Sequence, residues 1–158
     1  MPLIEILTDS SSEQQLSKVI DKQMVNTNEI IYVKERNIEN IKNIRLEALI
    51  INTEIHDMDI IKKIASNSKY LIINLDYNKN IEEFGKDRNK IITYGYNSKS
   101  DITISSVKEE QSFLCLQRNI KSIFGKIIEM QEIKANVNYS IDVYNVMIII
   151  ALTILYAK

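Results

Sequence analysis

The chain reads as an α/β domain of three layers: a mostly parallel sheet with helices on both faces, and an antiparallel extension in the second half. Three observations predict this. Short apolar runs alternate with helix-compatible polar stretches as far as Gly95. Two of those runs, ALIIN at 48–52 and YLIIN at 70–74, are continuously apolar, as strands covered on both faces are. After Gly95 the apolar residues recur at every second position between polar turns, the mark of antiparallel strands. The chain has 158 residues, which suits a single domain, 1–158, with a sizeable core.

Each element follows in order. PLIEIL at 2–7 is the first strand. SEQQLSKVIDKQM at 12–24 is a helix, because Leu16, Val19 and Ile20 share one face. Ser10 to Ser12 offer its N-cap, with Glu13 in the first turn. EIIYVKE at 29–35 is a strand and NIENIKNI a short helix or loop. ALIIN is the third strand, 57–67 a helix, and YLIIN the fourth strand. NIEEFGKD makes a helical turn before a fifth strand, KIITYG, at 90–95. The runs at 2–7, 29–33, 48–52, 70–74 and 90–93 are therefore expected to be parallel neighbours in one sheet. SDITISSVKEE, QSFLCLQRNI and GKIIEMQEIKA supply the antiparallel extension, with Cys115 expected to point inward from an alternating strand. The apolar run at 143–157 is shorter than the roughly 18–20 residues of a spanning helix. Tyr144 and Asn145 break its start, so it is expected to lie on the sheet.

Composition narrows the function classes. Lys+Arg 20 against Asp+Glu 21 gives a formal charge of −1, without the basic footprint of a nucleic-acid binder. The eight tyrosines are not interleaved with a basic stripe, so a base-stacking platform is not expected. One cysteine excludes an intrachain disulfide and an all-cysteine metal site. With no basic-then-apolar leader at the start, this sets the expectation of a cytoplasmic protein. Ser10, Ser11 and Ser12 have no general base nearby in sequence, so a serine nucleophile is not expected.

Four segments, in order, resemble the central, ATP-binding domain of the Mur ligases. ALIINTEIHDMD resembles that family's apolar strand followed by T-N-x-x-x-D-H-L-D. YLIINLD resembles its strand ending in N-x-D, KIITYG the strand after it, and IDVYNVMIIIAL its H-N-x-x-N-x-x-A-A helix. LTDSSSEQQ then falls where the family carries its phosphate loop, T-G-T-N-G-K-T-T. The resemblance implies a P-loop NTPase type of sheet, and ATP and Mg²⁺ as the cofactors of a carboxylate–amine ligation. It covers most of the chain, but not the family's flanking substrate and amino-acid domains.

Carried over residue by residue, the resemblance implies a degenerate nucleotide site. Thr8 matches the phosphate loop. Asp9 and Ser12 stand where the family has glycines, Glu13 where it has the lysine, and Gln14 where it has the magnesium hydroxyl. A carboxylate facing a phosphate at about 4 Å is repelled by roughly 4 kcal/mol at a surface-like dielectric, where lysine would attract. The helix N-terminus returns only about 0.3–1 kcal/mol. Asn74 and Asp76 match N-x-D, and Tyr144 and Asn145 remain in the last helix, although Ile141 and Asp142 replace its H-N pair. His56 and Asp57 carry the family's D-H pair in reversed order; they suit a weak metal site or, for Asp57, the cap of a helix.

The resulting expectation is a non-catalytic Mur ligase-like domain, a binding or interaction module with no cofactor. Its partner would be a protein, a true ligase or another cell-envelope protein, or a second copy of the chain. Neither nucleic acid nor a membrane span is expected. The alternatives are a ligase component with an altered nucleotide site completed by a partner, and a generic flavodoxin-like or receiver-like domain in which Asp9, Asp57 and Asp76 imitate an acidic cluster.

Overall fold

The structure, a computed structural model, describes residues 2–23, 29–108, 111–136 and 141–158. An eight-stranded sheet runs through it, in the spatial order β10-β7-β6-β5-β4-β3-β1-β2. Five strands were expected to be parallel neighbours, and all five are. They are β1 (Leu3–Leu7), β2 (Glu29–Val33), β3 (Leu46–Ile51), β4 (Ser68–Asn74) and β5 (Ile91–Tyr94). The extension is antiparallel, built from β6 (Ile102–Lys108), β7 (Gln111–Leu116) and β10 (Gln131–Asn136). Met24, Glu109 and Glu110, the ends of two sequence-expected elements, lie outside the described residues.

Side chains alternate between two cores. Ile4, Ile6, Ile50, Ile72, Ile92 and Tyr94 face α1 (Ser10–Gln23) and α3 (Val143–Leu155). Leu7, Leu49, Ile51, Leu71 and Ile73 face the other way, against α2 (Met58–Ser66) and a 3₁₀ segment at Glu35–Ile41. The continuous apolar runs in β3 and β4 follow directly from this burial on both faces. Helix α3 buries Met147, Ile148, Ala151, Leu152 and Leu155 on the sheet. Each large side chain so buried stabilises the fold by about 1.5–3 kcal/mol. Among the described residues no helix is long and apolar enough to cross a membrane.

The joint between the parallel and antiparallel halves shapes the carboxyl edge. Ile102, the first residue of β6, pairs in parallel with Tyr94, the last residue of β5. The remainder of β6 therefore runs on past the parallel strand ends, about 20 Å of extended chain standing beside that edge. Cys115 corrects an expectation here. In β7 it is Ser112, Leu114 and Leu116 that are buried; Cys115 lies on the opposite face, half-buried. Period-2 alternation gives two faces, and it does not say which one meets the core. A short hairpin of β8 (Ile120–Lys121) and β9 (Ile127–Ile128) completes the chain's strands among the described residues.

Candidate functional site

The turn after β1 is closed by its own side chain. Thr8 continues the ladder, its N–H donating to the Val33 carbonyl at 3.1 Å. Helix α1 then starts at Ser10, and the Ser12 N–H donates to Asp9 Oδ1 at 2.8 Å. The Glu13 N–H donates to the Asp9 carbonyl at 3.0 Å. Asp9 is thus the N-cap, one position before the serines that the sequence offered for that role. An aspartate there reaches a free N–H of the first turn with a full negative charge. The donor that a phosphate would need from Ser12 is taken. Ser12 is buried, Glu13 half-buried, and Gln14 is exposed.

A polar ladder crosses the carboxyl ends of four neighbouring strands. Asn52 donates from Nδ2 to Thr8 Oγ1 at 3.0 Å. Its Oδ1 accepts from Asn74 Nδ2 at 3.2 Å and from the Tyr94 hydroxyl at 2.6 Å. Thr8, Asn52, Asn74 and Tyr94 are all buried, and each finds its partner within the ladder, as buried polar groups must. Burial pushes the Tyr94 phenol well above its ordinary range, so it remains a neutral donor.

Asp76 anchors the next layer outward. Its N–H donates to Asn74 Oδ1 at 3.0 Å, a local turn of the kind asparagine favours. Its carboxylate accepts from the Tyr96 N–H at 2.7 Å, the Asn97 N–H at 2.9 Å and the Tyr144 hydroxyl at 2.7 Å. Gly95 makes this possible: its φ is +146°, and a Cβ there would lie 2.8 Å from the Asp76 carboxyl group. Beside it, Gln15 Oε1 accepts from Asn145 Nδ2 and from the Asp142 N–H, both at 2.8 Å, which ties α1 to the start of α3. Asp142 caps α3 by accepting from the Tyr144 N–H.

Exposed aromatic rings stand over this layer. Tyr77 and Tyr96 are 44% and 54% exposed. Each has its ring centroid 5.5 Å from that of Tyr144, which lies between them. Burial and the carboxylates of Asp142, Asp9 and Asp76 push the Tyr77 phenol up. Burial, Asp142 and Asp76 do the same to Tyr96.

His56 and Asp57 belong to a different place. They line a shallow depression with Glu35, Met58 and Asp59. Glu35 Oε1 accepts from the His56 N–H at 2.6 Å and the Asp57 N–H at 3.3 Å, and Glu35 Oε2 lies 2.8 Å from His56 Nδ1. The Glu35 hydrogen bond raises the imidazole pKa and favours its charged form. Asp57 caps α2, accepting from the Ile60 N–H at 3.3 Å. Among the described residues no group of three or more histidine, cysteine or acidic side chains is arranged to hold a metal. The capping role that the sequence offered for Asp57 is the one it fills.

Sequence reasoning brought Thr8, Asn74, Asp76 and Asn145 to this edge, and the fold gathers them there. It missed Gln15, Tyr94 and Tyr96, whose hydrogen-bond partners lie 20 to 130 residues away. The signal available was weak: an aromatic and a glycine where KIITYG ends. It also missed Asp101, a structural carboxylate at the start of β6. Asp101 accepts from Arg88 Nη2 at 3.1 Å, Arg118 Nε at 2.8 Å and the Thr93 N–H at 2.9 Å. Arg118 Nη2 donates onward to the Ile91 carbonyl, so one ionic clasp holds β5, β6 and the segment after β7 together. No family model and no curated protein sequence matches the chain.

Proposed function

We propose that the chain is a non-catalytic, Mur ligase-like binding module whose carboxyl-edge site no longer takes nucleotide. The observation that supports this is the Asp9 cap. The seat where a phosphate would sit on α1 is filled by a carboxylate of the chain itself, 2.8 Å from the Ser12 N–H. The residues present do not fit MgATP. Asp9 would have to leave the helix and a second carboxylate, Glu13, stands in the first turn where the resemblance wants a lysine. Asn74 is spent on holding Asn52 and Asp76, and Asp76 on two backbone N–H groups and a phenol. Every polar group the resemblance would assign to nucleotide therefore has an internal partner or the wrong charge, save the exposed Gln14 and the buried Asn145 Oδ1. Partner proteins, including a functional ligase, remain the class that the resemblance favours.

The strand order favours a second reading. The parallel part runs β2-β1-β3-β4-β5, the flavodoxin-like doubly wound order, whose crevice opens between β1 and β3. A generic domain of that type would place a ligand beside Thr8 and Asn52. Those two are hydrogen-bonded to each other across the crevice. Its receiver-like form is disfavoured because Asp57 is a helix cap in a separate depression.

Calorimetry with MgATP and with free ATP tests the proposal. Wild type is expected to give no binding heat at millimolar nucleotide. A triple variant, Asp9→Gly with Ser12→Gly and Glu13→Lys, is expected to gain affinity for phosphate. Saturable micromolar binding of MgATP to wild type would promote the ligase-component reading instead.

A further inference from the structure

The carboxyl edge that the proposed binding module presents is aromatic and acidic. Three tyrosines form its surface, Tyr144 in the middle with Tyr77 and Tyr96 on either side. Large aromatic side chains left half in water are the kind of surface that proteins use to anchor partners. Three carboxylates lie around them. Asp76 is in direct hydrogen bond with Tyr144, and Asp142 caps the helix from which Tyr144 projects. Asp9 caps the start of α1, whose next turn is bonded through Gln15 to Asp142 and Asn145 at the start of α3. Among the described residues the ion pairs are His56–Glu35, Lys62–Glu83, Lys69–Glu47, Arg88–Asp101 and Arg118–Asp101. None of them reaches Asp9, Asp76 or Asp142. The three acids are held by N–H and O–H donors, which leave their net charge uncompensated.

Charge and ring chemistry select the same occupant. A phosphate or an acidic peptide is repelled by these three carboxylates. A guanidinium is planar, is weakly hydrated, and stacks on tyrosine while its N–H groups reach carboxylates. We propose that Tyr77, Tyr96 and Tyr144, with Asp9, Asp76 and Asp142, dock an arginine-containing segment of a partner protein. This rests on the binding-module reading and gives its partner a chemistry: a basic, arginine-bearing peptide laid across the tyrosine rings.

The probe is a fluorescently labelled peptide of alternating arginine and glycine, followed by fluorescence anisotropy at moderate salt. A lysine–glycine peptide of the same length and charge is the comparison. The arginine peptide is expected to bind saturably and more tightly than the lysine peptide, because only arginine stacks. Combining Tyr77→Ala and Tyr96→Ala is expected to weaken it about tenfold, since each exposed cation–π contact contributes modestly. Tyr77→Phe with Tyr96→Phe should restore binding, which a merely structural role for the hydroxyls would not predict. Glu82→Ala with Glu83→Ala, acids on a separate turn, should leave it unchanged.

Equal binding of the two peptides, or equal loss on removing Glu82 and Glu83, would overturn the proposal in favour of unspecific charge attraction. Concentration-dependent self-association that the tyrosine variants abolish would overturn it in favour of a second copy of the chain. MgATP is added in a parallel arm. If nucleotide binds and displaces the peptide, the binding-module reading fails with it. If neither nucleotide nor peptide binds, the arginine site alone fails.

Discussion

The Tyr144 hydroxyl donates to Asp76 Oδ2 at 2.7 Å, joining residues 68 positions apart in the chain. It fixes the first turn of α3 to the loop that leaves β4. The acceptor is a carboxylate oxygen, and hydrogen bonds to charged groups are stronger than neutral ones. Tyr144→Phe is expected to lower stability by about 1–2 kcal/mol. Asp76→Asn should cost a similar amount, and the double variant less than the two combined. Urea denaturation of the four proteins checks this. Simple additivity would mean that the contact contributes nothing on its own.

Glu5 sets a pH dependence. It lies in the middle of β1, paired with Ile31 and Leu49 on the neighbouring strands, and both of its carboxylate oxygens are buried without a hydrogen-bond partner among the described residues. Burial raises its pKa from 4.5 to about 7. Between those values the folded protein keeps a proton that the unfolded chain has released. This group's stabilising share is therefore fully present below about pH 4.5 and is lost as pH rises towards 7, staying absent above. The loss across that window is about 3 kcal/mol. Glu5→Gln should remove it. The gap between variant and wild type should widen in the variant's favour from about pH 5 to about pH 8 in paired denaturation curves. A gap that does not change with pH would contradict the assignment.

The contrast between these two residues explains what the sequence makes legible. Five parallel strands could be placed because burial on both faces writes itself as continuous apolar runs, and Asn74 and Asp76 because they end such a run. Glu5 breaks its run only by one letter, and nothing local says that it faces the core between Leu3 and Leu7. The cap of α1 was displaced by one residue, from Ser10–Ser12 to Asp9, since all four are good caps. Tyr144 with Asp76, Gln15 with Asn145, and Asp101 with its two arginines are pairings over long separations, which no local pattern encodes. Cys115 was assigned to the wrong face because alternation fixes parity without fixing direction.

Asp101 is the third test. Its side chain is only 6% exposed and meets both Arg88 and Arg118. Asp101→Ala would leave Arg118 unpaired against the Ile91 carbonyl and free the Thr93 N–H. Breaking a buried ionic cluster costs about 3–5 kcal/mol, and the low end applies because Arg88 is partly in water. Asp101→Asn should cost less, as it keeps an acceptor for Thr93. The extension should loosen first, which hydrogen exchange on β6 and β7 would show as lost protection before the parallel strands lose theirs. Uniform loss across the sheet would argue against a local clasp.

The amide resonances of Ser12 and Glu13 test the central claim most directly. They sit on the turn where a phosphate would bind, and Asp9 already holds both, through its carboxylate and its carbonyl. In an NMR titration of the isotopically labelled protein with MgATP to millimolar concentration, the account predicts that neither resonance moves. In the variant with Asp9→Gly, Ser12→Gly and Glu13→Lys, the amides of the same turn should shift on addition of inorganic phosphate. A saturable, micromolar shift of the wild-type Ser12 amide with MgATP, lost when Asn74 or Asp76 is changed to alanine, would contradict the account.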